Sequence, residues 1–130
     1  MWHLDTNIAI AYLNGNRSIA QHIKQRERAL YVSSIVLAEL HFGAHKSTQK
    51  DRNLRAIGEF LELTGIVAFD SACAATYGSL RAQLLLRGRM VPELDLLIAA
   101  TAITLDATLV TDNTKDFEYI PGLKLENWLR

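Results

Sequence analysis

The chain has 130 residues, 49% hydrophobic and 22% charged, with fourteen Lys and Arg against fourteen Asp and Glu. That length and balance describe one globular domain over residues 1–130 and exclude a disordered chain or a uniformly basic nucleic-acid coat. A single cysteine, Cys73, excludes an internal disulfide and a Cys-rich zinc site, and no apolar run approaches the ~18 residues of a membrane span.

The first residues, Met1-Trp2-His3-Leu4-Asp5, lack the basic-then-apolar order of a secretion signal, so a cytoplasmic protein is expected. Residues 2–4 instead read as the first of five short apolar runs, followed by 30–32, 66–69, 109–110 and a weaker 123–125. Each is short and apolar enough for a buried parallel strand. Between them lie helical spacings: Ile35, Ala38, Glu39 and Phe42; then Leu54, Ile57 and Leu61; then Cys73, Tyr77, Leu80 and Leu84; then Leu94, Leu97, Ile98, Thr101, Ala102 and Leu105. Thr6, Ser33-Ser34 and Asp70-Ser71 follow the first three runs and offer side-chain oxygens as helix caps. Residues 87–93, with two arginines, Gly88 and Pro92, break the pattern and form a loop. Strand–helix alternation on this scale predicts a parallel α/β sheet covered by helices.

Four groups of acids stand where chemistry needs a reason for them. Asp5 ends the first strand, at the edge where open α/β sheets place ligands, though a helix cap would also explain it. Glu39 is the lone charge in the apolar stretch 34–40, where burial is costly unless a cation or donors compensate. Asp95 opens the helix carrying Leu97 and Ile98, a position that the helix dipole also favours. Asp112 follows the fourth strand with Asn113 beside it and Asp116 close after, which ordinary turn chemistry would also explain. Together these acids map to one edge of the sheet, where like charges raise one another's pKa unless a cation intervenes. An all-oxygen donor set suits Mg²⁺, with Mn²⁺ as a substitute, and such centres activate water against phosphodiesters.

The segments Leu4-Asp5-Thr6-Asn7, Ala38-Glu39-Leu40-His41-Phe42-Gly43, Asp95 through Ala102, Val110-Thr111-Asp112-Asn113 with Asp116-Phe117, and Ile120-Pro121-Gly122-Leu123 to Trp128 are in order. With them the chain resembles the PIN-domain proteins, and more narrowly the VapC toxins of bacterial type II toxin–antitoxin pairs. The resemblance covers essentially the whole chain. It implies a PIN-like three-layer α/β/α sandwich with a central, mostly parallel sheet. It also implies a Mg²⁺-dependent endoribonuclease held by a cognate VapB-like antitoxin, and a homodimer. Asp5, Glu39, Asp95 and an acid in the 112–116 loop would form the metal site, with Asp5 and Asp95 as the main ligands. Many relatives carry an acid where this chain has Asn113, and others carry asparagine. Asp112 is the preferred fourth acid here, Asn113 a polar ligand or substrate contact, and Asp116 the reserve. Thr6 and Asn7 are further candidates.

Arg87 and Arg89, in the loop before Asp95, are candidate contacts to RNA phosphates. Apolar Ile8, Ala11, Tyr12 and Leu13, where exposed, would suit an amphipathic antitoxin helix. His41 and His45 share a helix face but lack the glutamate of a zinc helix and are read as solvent-facing. Two other readings compete: a small Mg²⁺-dependent phosphatase or phosphotransferase with Asp5 as nucleophile, weakened by Asn7, and a non-catalytic α/β module whose acids are caps.

Overall fold

Three or four apolar residues suffice for each strand because both faces of the sheet are covered and a parallel ladder needs no solvent-facing alternation. In the computed structural model, which describes residues 1–129, the strands are β1 (Trp2–Leu4), β2 (Leu30–Ser33), β3 (Gly65–Val67), β4 (Thr108–Val110) and β5 (Lys124–Glu126). The helices are α1 (Thr6–Leu13), α2 (Arg17–Gln25), α3 (Ser34–Lys46), α4 (Lys50–Leu61), α5 (Ser71–Leu86), α6 (Glu93–Thr104) and α7 (Thr114–Phe117). All pairings are parallel, in the order β3-β2-β1-β4-β5. The helices flank this sheet as an α/β/α sandwich. Leu4, Val32, Leu109 and Val110 are fully buried in it.

The strand order places the site. From β1 the chain steps outward to β2 and β3, then returns past β1 to β4 and β5. The order therefore reverses between β1 and β4, and the carboxyl ends of those two strands are where open α/β sheets place ligands. Leu4 pairs with Val110 at that level, so Asp5 and Thr111 leave the sheet side by side.

Local chemistry sets the helix ends. Ser33 and Asp70 cap α3 and α5, accepting from the amides of Val36 and Cys73 at 3.1 and 3.0 Å. The cap of α1 is Asp5 rather than Thr6, whose hydroxyl is turned elsewhere. The α5 end is closed by Arg87 and by Gly88 at φ +67°, with the Arg89 amide returning to the Leu84 carbonyl at 2.9 Å. This wrap is the left-handed glycine stop of a helix.

Two helices depart from the one-sided stripes that the spacing suggests. On α3 the packed residues are Val36, Leu40 and Ala44, while Phe42 is 67% exposed. On α6 the buried residues Leu96, Ile98, Ala99, Ala100, Thr101 and Ala102 run nearly all round, because α3, α5, α7 and β4 surround it. Small residues permit that close approach; Leu94, expected in the stripe, is 47% exposed.

The end of the chain is fixed to its beginning by an aromatic cluster. Glu126 accepts from both indole N–H groups, Trp2 at 3.2 Å and Trp128 at 3.1 Å. The Arg26 guanidinium lies 4.9 Å from the Trp2 ring and 4.7 Å from Trp128, and His22 stacks on Trp128 at 4.8 Å. In β1 itself His3 is fully buried with neither ring nitrogen hydrogen-bonded, and burial pushes its pKa down to about 4. Among the described residues no helix is long and apolar enough to cross a membrane.

Candidate active site

Asp5 leaves β1 with its side chain buried, 4% exposed. Both oxygens are committed: Oδ1 accepts from the Thr6 amide at 2.8 Å and Oδ2 from the Thr111 hydroxyl at 2.7 Å. Burial raises its pKa, the Thr111 and Thr6 bonds pull it down, and the Glu39 charge raises it again. Glu39 is half-buried, and its Oε1 accepts from the Thr6 hydroxyl at 2.9 Å. Thr6 therefore ties α1 to α3 directly beside Asp5.

Asp95 lies in the first turn of α6. Its pKa is raised to about 6, first by burial and then by the charges of Asp5, Asp116 and Glu39. Those causes identify the acids that share one field: Asp5, Glu39, Asp95 and Asp116. Among the described residues the side-chain ion pair is Lys124–Asp106, far from this field, and no Lys or Arg is paired to any of the four acids.

The fourth position is where the sequence-based preference changes. β4 ends at Val110 and Thr111 turns inward to Asp5, so the next residue, Asp112, faces out. It is exposed, its Oδ1 accepts from Asn127 Nδ2 at 3.0 Å, and its own backbone amide donates to Asn7 Oδ1 at 3.3 Å. The single turn of α7 then carries Asp116 back toward Asp95. Asn113 serves as its holder: Nδ2 donates to Asp116 Oδ2 at 2.7 Å, and the Asn113 amide bonds Thr111 Oγ1 at 3.0 Å. A chain of hydrogen bonds thus runs from Asp5 through Thr111 and Asn113 to Asp116. Thr111, fully buried at its centre, carried no signal in the sequence beyond strand propensity.

The donor set is all oxygen. Among the described residues no three His, Cys, Asp or Glu side chains close tightly enough to enclose an ion by themselves. Mg²⁺ does not require such an enclosure, because it keeps several waters and takes only one or two carboxylates directly. Four mutually repelling acids without a cation, one of them titrating near 6, fit such an ion. His41 and His45 are exposed and take no part.

Two grooves lie outside the carboxylate cluster, and neither is lined by any of the four acids. One, of about 500 Å³, lies between the end of α5 and the start of α6 and includes Arg81, Arg89, Glu93 and Leu96. Arg87, at the α5 cap, is exposed outside its lining. The other, of about 440 Å³, lies between α1, α2 and α4 and includes Tyr12, Leu13, Ala20, Phe60 and Leu63. Tyr12 and Leu13 thus line a groove as expected, whereas Ile8 is fully buried in the core.

Residues 3–123 match the PIN domain family model. The chain is 40% identical over 131 residues to ribonuclease VapC2 of Rickettsia felis, covering 98% of both chains. It is 36% identical over 126 residues to a tRNA(fMet)-specific endonuclease VapC of Shigella flexneri, covering 96% of both. Its backbone superposes with TM-score 0.93 on a chain in the crystal structure of VapBC2 from Rickettsia felis bound to a promoter DNA fragment, at 40% identity and 98% coverage of each chain.

Proposed function

Because the chain belongs to the PIN-domain family, among the VapC ribonucleases, we propose that it is a Mg²⁺-dependent endoribonuclease, the toxin of a type II toxin–antitoxin pair. The observation that carries this reading is the uncompensated field of Asp5, Glu39, Asp95 and Asp116, with Asp95 raised to about 6. Asp5 and Asp95 would hold the ion, with Glu39 and Asp116 completing the site directly or through water; Asp112 lies outside this set. When bound, Mg²⁺ supplies positive charge to the phosphate and acidity to a water.

The chain's own residues do the rest. Thr6, Thr111 and Asn113 hold Glu39, Asp5 and Asp116 in fixed rotamers, so no reorganisation is needed when charge develops on the phosphate. Glu39, bonded through one oxygen, keeps the other for orienting the attacking water or accepting its proton. Burial of Asp5 limits the access of bulk water to it.

The partner of an unrestrained ribonuclease must be an inhibitor, and the solved relative is a VapBC complex. A VapB-like antitoxin would lay an amphipathic helix in the Tyr12–Phe60 groove and bring an Arg or Lys to the carboxylates. A homodimer belongs to the same reading. The test is expression of wild type and Asp5→Asn in a bacterium, with sequencing of RNA ends. Discrete new ends from wild type alone, in step with growth arrest relieved by the neighbouring gene product, are expected. A trapped aspartyl-phosphate on Asp5 would instead identify a phosphotransferase.

A further inference from the structure

Most surface arginines are free to swing, but two along the α5–α6 groove are held by tyrosines. The Arg89 guanidinium lies 3.7 Å over the ring of Tyr119, just beyond the helix that carries Asp116. Its backbone is fixed as well, because the Gly88 turn returns its amide to Leu84. Arg81 Nη1 donates to the Tyr77 hydroxyl at 2.9 Å. Both arginines line the groove of about 500 Å³ between α5 and α6, which contains one carboxylate, Glu93, and ends at Leu96, the neighbour of Asp95. The groove is mainly apolar, but its two guanidinium groups outnumber its one carboxylate, and it adjoins the first turn of the helix that carries Asp95. A polyanion gains from such an arrangement: its flanking phosphates meet fixed cations while the cleaved linkage meets the acids and their ion.

Resting on the ribonuclease reading above, we propose that this groove holds the RNA strand next to the cleaved linkage, with Arg89 and Arg81 on backbone phosphates and Tyr119 positioning Arg89. Preorganisation by the ring lowers the entropy lost when the guanidinium engages a phosphate. The exposed Leu85, Leu86 and Met90 at the rim would also suit a second copy of this chain. The sedimenting mass measured below separates that occupant from RNA.

The probe is a fluorescein-labelled single-stranded RNA of mixed sequence bound to the full chain in EDTA, read by anisotropy across a salt series. Each of Arg89→Gln and Arg81→Gln is expected to weaken binding and to reduce the slope of log K against log salt by about 0.7, the value for one lost phosphate contact on a single strand. Tyr119→Leu is expected to weaken binding about 2- to 5-fold, the size of a cation–aromatic contact, with Tyr119→Phe restoring it. In Mg²⁺ the same losses fall on KM rather than kcat. Arg52→Gln, on α4, is the surface control and leaves both readings unchanged.

Equal slopes for wild type and all groove variants overturn the proposal. So does a change in sedimenting mass with RNA binding intact, which makes the groove a contact between copies. Arginine-dependent binding without Mg²⁺-dependent cleavage keeps the groove and rejects the ribonuclease reading. Absence of both binding and cleavage in wild type rejects the two together.

Discussion

At the scale of single residues, a buried histidine and a half-buried carboxyl titrate in opposition. His3, with pKa pushed down to about 4, disfavours the folded state as pH falls from about 6.5 toward 4, since only the unfolded chain takes up the proton there. Asp95, raised to about 6, does the reverse: its contribution is present below the usual carboxylate range and is lost as pH rises toward 6. Asp5 is raised as well and adds to the second effect. The two trends partly cancel between pH 4 and 6. Replacing Asp95 by Asn removes one of them, so stability of that variant rises more steeply with pH than wild type. At pH 7.5 it should exceed wild type by about 1 kcal/mol, after allowance for solvent screening of a half-exposed group, or roughly 4 °C in Tm. His3→Leu should instead be the more stable at pH 5. Thermal melts of the three proteins from pH 4 to 8 decide this; parallel curves would remove both shifts from the account.

Thr111 is the second residue-scale case. Thr111→Val keeps the shape but leaves the buried Asp5 Oδ2 without its donor. The expected cost is about 1–3 kcal/mol at neutral pH, and Mg²⁺ binding by calorimetry should weaken about 10-fold, with Thr111→Ser restoring both. Loss of stability with unchanged metal affinity would confine Thr111 to a structural role.

At the scale of elements, the sequence was legible where periodicity is strong. All five strands overlap the short apolar runs, and α3, α4, α5 and α6 lie where helical spacing falls, although the packed faces of α3 and α6 differ from it. What escaped was short or surrounded. The four residues of α7 are too few to show a period, yet that turn carries Asp116, whose charge acts on Asp95. The arginine-bearing α2 is mostly polar on its surface, and only Ile19 and Ile23 betray its buried face. The all-round burial of α6 depends on neighbours that no local window contains. Gly65 in β3 is a similar case: an added Cβ would stand 2.8 Å from the Tyr31 ring. Gly65→Ala should therefore force the ring aside and cost about 1–2 kcal/mol by denaturant melt, with Tyr31→Ala in the same chain removing the clash. An unaltered Gly65→Ala protein would mean that β3 yields instead.

At the scale of the whole molecule, the strand count and parallel sense were readable but the order was not. Nothing in a short apolar run states its neighbours; the reversal at β1 comes from which crossovers can pack. The acids at strand ends were visible individually, while their convergence depended on that order. The cluster of Trp2, Arg26, Trp128 and Glu126 likewise joins segments more than a hundred residues apart. Glu126→Leu should strand both indole N–H groups and lower stability by about 2 kcal/mol, with a shift in tryptophan fluorescence. A fluorescence spectrum and melt identical to wild type would show that the cluster holds by stacking alone.

The bond between Asp5 and Thr111 joins residues 106 apart in the sequence. Protein synthesis adds roughly 5–20 residues per second, so one half of the carboxylate centre exists about 5–20 s before the other. Throughout that interval β1 has no β4 to pair with, and the nascent chain carries Asp5 without the hydroxyl that holds it. A growing chain is in this sense harmless by construction, because the opening and closing portions of its message must both be translated before there is a centre to restrain.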